Sequence, residues 1–210
     1  SAAENIFINC CKQDSLVLDP SVLIAEEDAY FVEGLKHVRE LAKTNCYVVS
    51  NQELNLTQAG CEFIIIEGNS QAGNTSAHIQ ALNPIRKSEK TWSIDWQDVI
   101  RIGKLFINQK LCSEKYISIT GPNCSEPKMV LTTAGASMEE VTAGITNGLV
   151  RRISGSAIYG SHGDSYTDFL TRYSNQITLI SDEPKATFFN WLKPGVKDHS
   201  NSNVFLSSIF

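Results

Sequence analysis

Methionine, basic clusters, paired cysteines and long apolar runs are all scarce in this chain, and each scarcity excludes something. Only Met129 and Met138 occur in the 210 residues. No initiator stands at Ser1, so the chain is expected to be a piece of a longer protein. Its other end, Val204 to Phe210, is an apolar run with no polar tail, and points the same way. Lys and Arg total 18 against 23 Asp and Glu, for a net charge of −5, and no basic cluster exceeds Arg151-Arg152. Without a basic field to draw in phosphates, nucleic acid is not expected as a partner. No unbroken apolar run exceeds that of Phe63 to Ile66, far short of the roughly 20 residues a spanning helix needs. Cysteines at 10, 11, 46, 61, 112 and 124 show neither C-x-x-C spacing nor the density of a secreted scaffold. They read as reduced, buried thiols of a cytoplasmic protein.

What is present is ordinary globular material, 42% hydrophobic and 20% charged, enough for one or two domains with a real core. Asn5 to Asn9 reads as a strand. Asp19-Pro20 then supplies an N-cap and a first-position proline. Phe31, Leu35, Val38 and Ala42 recur at helical spacing, with Glu26, Glu27 and Asp28 before them and Lys43 after, which predicts one amphipathic helix over about 22 to 43. Cys46 to Ser50 and Phe63 to Glu67 are continuous β-branched and aromatic runs, as in strands buried on both faces of a parallel sheet. A turn-forming loop, Gly68 to Ser76, leads into a helix near Ala77 to Leu82. Trp92 to Trp96 alternates, and Asp98 starts a helix with Val99, Ile102 and Phe106 on its apolar side.

The pattern changes after residue 112. Lys115 to Thr120, a Gly121-Pro122-Asn123 turn and Lys128 to Thr133 form a hairpin-like pair. Ser137 and Glu140 make a capping box opening a short helix that ends near Gly148. Arg151 to Ile158 and Gln176 to Ile180 add two strands, and Pro184 to Leu192 a last helix. The division is a Rossmann-like α/β domain over 1–112, a small β-grasp domain over 113–181, and a short helix with a truncated extension over 182–210.

No catalytic, cofactor-binding or metal-ligating residue emerges. The Gly68 to Ser76 loop stands where α/β folds cradle phosphates, but lacks both G-x-G-x-x-G spacing and a P-loop lysine. His78 and His162 are the histidines best placed for exposure on loops, and with His37 and His199 they show no metal-ligand spacing. Ser161, His162 and Asp164 are too close in sequence for triad geometry, so a tight polar loop is the favoured reading. Of Trp92 and Trp96, one packs on the sheet and the other can reach a partner surface. The glycine-rich run Ile153 to Gly160 fits a strand closely approached by another backbone.

Several stretches resemble the NqrA family of the sodium-translocating NADH:quinone oxidoreductases. They are Asn5 to Phe7, Asp19-Pro20 with Leu23 to Glu26, Gly68 to Pro84, Lys90 to Phe106, and Val150 to Ser156. The resemblance implies a unit like the flavin domain of the NADH-oxidising subunit of respiratory complex I, followed by an SLBB-type β-grasp. It implies a peripheral subunit on the cytoplasmic face of the bacterial inner membrane, docked on the pump's membrane-embedded NqrB and close to ubiquinone. It assigns FAD, FMN, riboflavin and iron-sulfur centres to other subunits, leaving this piece without a redox cofactor of its own. Where the family reads Gly-Pro-His-Pro-Ala-Gly, Gly68 to Gly73 reads Gly-Asn-Ser-Gln-Ala-Gly, and where it often reads His-Ile-His, the chain has His78-Ile79-Gln80. Both departures argue against quinone or metal chemistry in that loop, and the absence of spaced thiolates argues against iron-sulfur ligation.

Overall fold

A computed structural model of the chain describes residues 3–12, 16–57, 59–68, 72–162 and 167–183. The first unit contains β1 (Ala3–Cys10), α1 (Pro20–Glu26), α2 (Asp28–Leu41), β2 (Ala42–Ser50), β3 (Glu62–Ile65), α3 (Thr75–Leu82), β4 (Thr91–Asp95) and α4 (Trp96–Asn108). Its sheet has the order β3-β2-β1-β4 and every pairing is parallel. Alternation along β1 splits the core in two. Ile6 and Ile8 face α2 and α4 with Leu35, Val38, Val99 and Ile100, whereas Phe7 and Cys11 face Ile79 and Leu82 of α3. Phe31, Leu35 and Val38 are fully buried, each contributing about 1.5–3 kcal/mol through removal from water.

Asp19 caps α1, its carboxylate accepting the Ser21 N–H, with Pro20 in the first turn. The single helix expected over about 22 to 43 is instead two. Glu27, at φ −115° and ψ 30°, breaks the path between α1 and α2. Helix α2 stops at Leu41, so Lys43 is not a helix-end cation; it lies in β2 and pairs with Glu4 at 2.6 Å. The Cys46 to Ser50 run is buried throughout, as a central strand should be. Strand β3, by contrast, is a half-exposed edge, not buried on both faces.

Helix α4 begins earlier than expected. Asp95, not Asp98, is its cap, accepting the Gln97 N–H at 2.8 Å, and Trp96 opens the helix. Its buried face is Trp96, Val99, Ile100 and Gly103, while Phe106 is exposed and stacks on His37. Of the two tryptophans Trp96 is 4% and Trp92 41% exposed.

The second unit has β5 (Glu114–Thr120), β6 (Lys128–Thr133), α5 (Met138–Val141), β7 (Val150–Ser154) and β8 (Gln176–Ser181). The order β6-β5-β8-β7, with β5 and β8 parallel at the centre and antiparallel neighbours outside, is the mixed sheet of a β-grasp. Ile117, Ile119, Ile177 and Leu179 pack with Met138 and Leu170 beneath it. Ser137 caps α5 by accepting the Glu140 N–H, but the helix ends at Val141, well short of Gly148. Strand β7 likewise ends at Ser154, because Gly155 turns at φ +109° and Ser154 pairs back on Ser161. A Cβ at Gly160 would fall 2.3 Å from Ile153 Cγ2 and 2.5 Å from the Ser156 carbonyl oxygen, so the close approach expected from another backbone is instead the run folding back on itself. The Pro184 to Leu192 expectation lies outside the described residues.

Candidate functional site

The first sheet reverses its strand order between β1 and β4. From β1 the chain passes by α1 and α2 to β2 on one side, and returns after α3 to lay β4 on the other. In open α/β sheets such a switch point leaves a crevice beyond the carboxyl ends of the strands, where ligands bind. A crevice of about 290 Å³ lies there. Asn9 and Cys11 enter it from the end of β1, Thr75 from the start of α3, and Asp95, Trp96 and Asp98 from the β4–α4 junction; Tyr173 and Asn175 close it from the second unit.

Asn9 organises the floor. Its Nδ2 donates to the Gly73 carbonyl at 3.0 Å and to Thr75 Oγ1 at 2.9 Å, and its Oδ1 accepts the Cys11 N–H at 2.9 Å. The part of the Gly68 to Ser76 loop within the described residues is thereby tied to β1, and Asn74 caps α3. Residues 69–71 lie outside the described residues.

His78, expected on an exposed loop, is 1% exposed. On α3 it faces β1, with Nε2 2.6 Å from the Ala72 carbonyl and 3.9 Å from Cys11 Sγ. The short contact requires Nε2 to donate. Burial pulls the imidazole pKa down, against the opposing pull of the Ala72 carbonyl. Burial also pushes the Cys11 thiol up to about 11, and that thiol donates to the Val49 carbonyl at 3.5 Å. A protonated thiol beside a neutral imidazole is not an activated nucleophile.

The other histidines do not converge on the crevice. His162 is exposed, its Nδ1 3.0 Å from the Arg152 carbonyl, and Ser161 serves the backbone bridge to Ser154. His37 lies beside Glu33 and Glu40 on α2. Asp164 and His199 are outside the described residues. Among the described residues no cluster of three His, Cys, Asp or Glu side chains is placed to hold a metal ion.

The groups that sequence reasoning missed form the seam between the units. Gln97 donates to the Tyr116 carbonyl at 2.9 Å and accepts the Tyr116 N–H at 2.8 Å, imitating a strand partner for β5. Asn175 donates to Asp95 Oδ2 at 2.8 Å, and Arg172 reaches Asp98 at 3.3 Å, where Arg101 also pairs. Lys115, 3% exposed, donates to the Arg172 carbonyl. Asp95 had a readable cap signal, an acidic residue directly before the helical period. The seam residues had none, because their partners are remote in sequence.

A flavin-domain-like unit suggests a phosphate-bearing cofactor, and the crevice lining does not suit one. Its described residues include two carboxylates, Asp95 and Asp98, and no cation. Two helix N-termini, those of α3 and α4, approach it, but Asp95 already neutralises the second. Asp98 is offset by Arg101 and Arg172, but the Asp95 carboxylate occupies the Gln97 N–H at the start of α4 that a phosphate would need.

The model of the NqrA second alpha/beta domain matches residues 1–111. The chain belongs to the NqrA family. The NQRA C-terminal domain model, of SLBB type, follows over 116–164. The NqrA of the Na(+)-translocating NADH-quinone reductase of Teredinibacter turnerae is 32% identical over 97% of the chain and 46% of its own length. For Haemophilus influenzae the figures are 33%, 98% and 47%, and for Vibrio alginolyticus 31%, 100% and 48%. This NqrA-family chain thus spans about half the length of the curated relatives it matches. Among solved structures, a chain of an NAD+-reducing [NiFe]-hydrogenase in the air-oxidized state aligns with a TM-score of 0.58 at 12% identity, over 85% of this chain and 40% of that one. That likeness concerns the fold alone. No helix among the described residues is long and apolar enough to cross a membrane.

Proposed function

We propose that the chain is part of a peripheral subunit of a sodium-translocating NADH:quinone reductase, and serves there as a docking and covering element without a redox centre of its own. The observation that carries this reading is family membership across both units, with NqrA relatives of that enzyme matching along nearly the whole chain. In such an enzyme NADH oxidation and quinone reduction drive sodium export, and the flavins and iron-sulfur centre belong to other subunits. The crevice supports the same reading, since Asp95 occupies the start of α4 where a phosphate of FMN or NADH would bind. The membrane-embedded NqrB is the proposed partner, with the quinone-reduction site supported from the cytoplasmic side. Affinity capture of the full-length parent from detergent-solubilised native membranes tests this. NADH:quinone reductase activity and NqrB are expected in the eluate; a parent recovered alone would overturn the assignment.

One observation favours a second reading, a flavin- or nucleotide-binding oxidoreductase domain. The crevice sits at the switch point, with the starts of α3 and α4 directed toward it. Titration with FMN and NADH separates the two readings, because micromolar binding would sustain the second.

A further inference from the structure

Two of the buried cysteines are neighbours across the first sheet. Tyr47 of β2 is registered with Glu62 of β3, which makes Cys46 and Cys61 the next pair toward the start of both strands. Adjacent strands lie about 4.8 Å apart, inside the Cα separation a disulfide spans. Both side chains belong to the cluster facing α2, at 2% and 5% exposure, and so lie on the same face of the sheet. Both are free thiols here. The others lack such a partner geometry. Cys10 and Cys11 are consecutive and point to opposite faces of β1, and Cys112 and Cys124 are only partly buried on separate segments.

Arg39 brings a positive charge to this pair. From the last turn of α2 its guanidinium donates to the carbonyls of Gly60, Ala42 and Thr44 at 3.1, 3.1 and 3.2 Å, bracketing both cysteine-bearing segments. A cation beside a thiol favours its thiolate, the form that attacks oxidants.

We propose that Cys46 and Cys61 form a peroxide-oxidisable dithiol site that closes into a disulfide joining β2 to the edge strand β3. Cys61 is the attacking sulfur, since the Arg39 guanidinium, held on the Gly60 carbonyl directly before it, favours its thiolate. Its thiolate takes one oxygen of hydrogen peroxide as the O–O bond breaks, giving a sulfenic acid; the departing hydroxide leaves as water with a proton. The Cys46 sulfur then attacks the Cys61 sulfur, the S–S bond forms, the S–O bond breaks, and a second water leaves with the Cys46 proton. Two thiols lose two electrons and one peroxide gains them. The bond ties down the half-exposed edge strand that leads, through Glu67 and Gly68, to the crevice loop.

The test is graded peroxide treatment of the folded chain, trapping of free thiols, and digestion without reductant by a glutamyl endopeptidase, which cuts after Glu53 between the two cysteines. A cross-linked peptide pair carrying Cys46 and Cys61, lighter by two hydrogens and separated by dithiothreitol, is expected before Cys112 or Cys124 reacts. Cys46→Ser is expected to abolish the link and leave a Cys61 sulfenic acid that dimedone traps. Should that variant fail to fold, wild-type peptide mapping alone still decides. Free Cys46 and Cys61 after Cys112 and Cys124 have been oxidised, or a link from Cys61 to any other cysteine, would overturn the proposal.

Discussion

Lys115 is the most consequential single charge in the seam. Burial outweighs the attraction of Asp95, and with the repulsion of Arg101 and Arg172 brings its ammonium down from 10.5 to about 8. Below pH 8 the folded and unfolded chains both hold the proton, and the cost of burying the charge is constant. Between about 8 and 10.5 the folded chain releases a proton that the unfolded chain keeps, so stability contributed by this residue rises with pH. Melting temperatures from pH 7 to 10.5 are therefore expected to rise for the wild type relative to Lys115→Met; a difference independent of pH would refute the assignment. Gln97→Ala is expected to cost about 1–3 kcal/mol in urea unfolding, since it strips partners from the buried backbone of Tyr116. Gln97→Glu, which keeps the acceptor and loses the donor, should fall between. Legibility at this scale follows range. Asp19 and Ser137 could be read because a cap acts on residues two or three positions away. Gln97, Asn175 and Lys115 act across the seam, and the burial of His78 depends on which side of α3 meets β1.

At the scale of elements, the crossing of α2 and α4 depends on two glycines. A Cβ on Gly34 would stand 2.0 Å from the Val99 carbonyl oxygen, and one on Gly103 1.8 Å from that of Tyr30. Gly103→Ala improves intrinsic helix propensity by about 1 kcal/mol, yet the clash is with backbone that cannot turn aside. A net loss of about 1–3 kcal/mol in denaturant unfolding is expected; a neutral or stabilising result would mean that the helices separate freely. The strands were legible because their β-branched runs are local, and the β-grasp class was suggested by two strands, a helix and two strands, whereas the order β6-β5-β8-β7 came from the structure. The break at Glu27 was hidden, as neither glycine nor proline marks it and the apolar period of α2 runs through Ala42 into β2. The face of α4 was misread because Ile100 and Phe106 are equally apolar in sequence. Only the packing of Trp96, Val99 and Gly103 against α2 and the sheet decides between them.

At the scale of the whole molecule, the two units are joined by Gln97 to Tyr116, Asn175 to Asp95 and Arg172 to Asp98. The switch-point crevice thus has one wall from each unit, and a carboxylate where a phosphate-binding fold would place a donor. That combination underlies the proposal that an NqrA-family chain retains the α/β framework while the redox groups reside on other subunits. Its most direct test is isothermal titration of FMN into the chain and into its full-length parent at low ionic strength, where any attraction for phosphate is strongest. The account predicts no binding heat at micromolar flavin for either. Micromolar binding by both, weakened on enlarging Thr75 at the crevice, would contradict it.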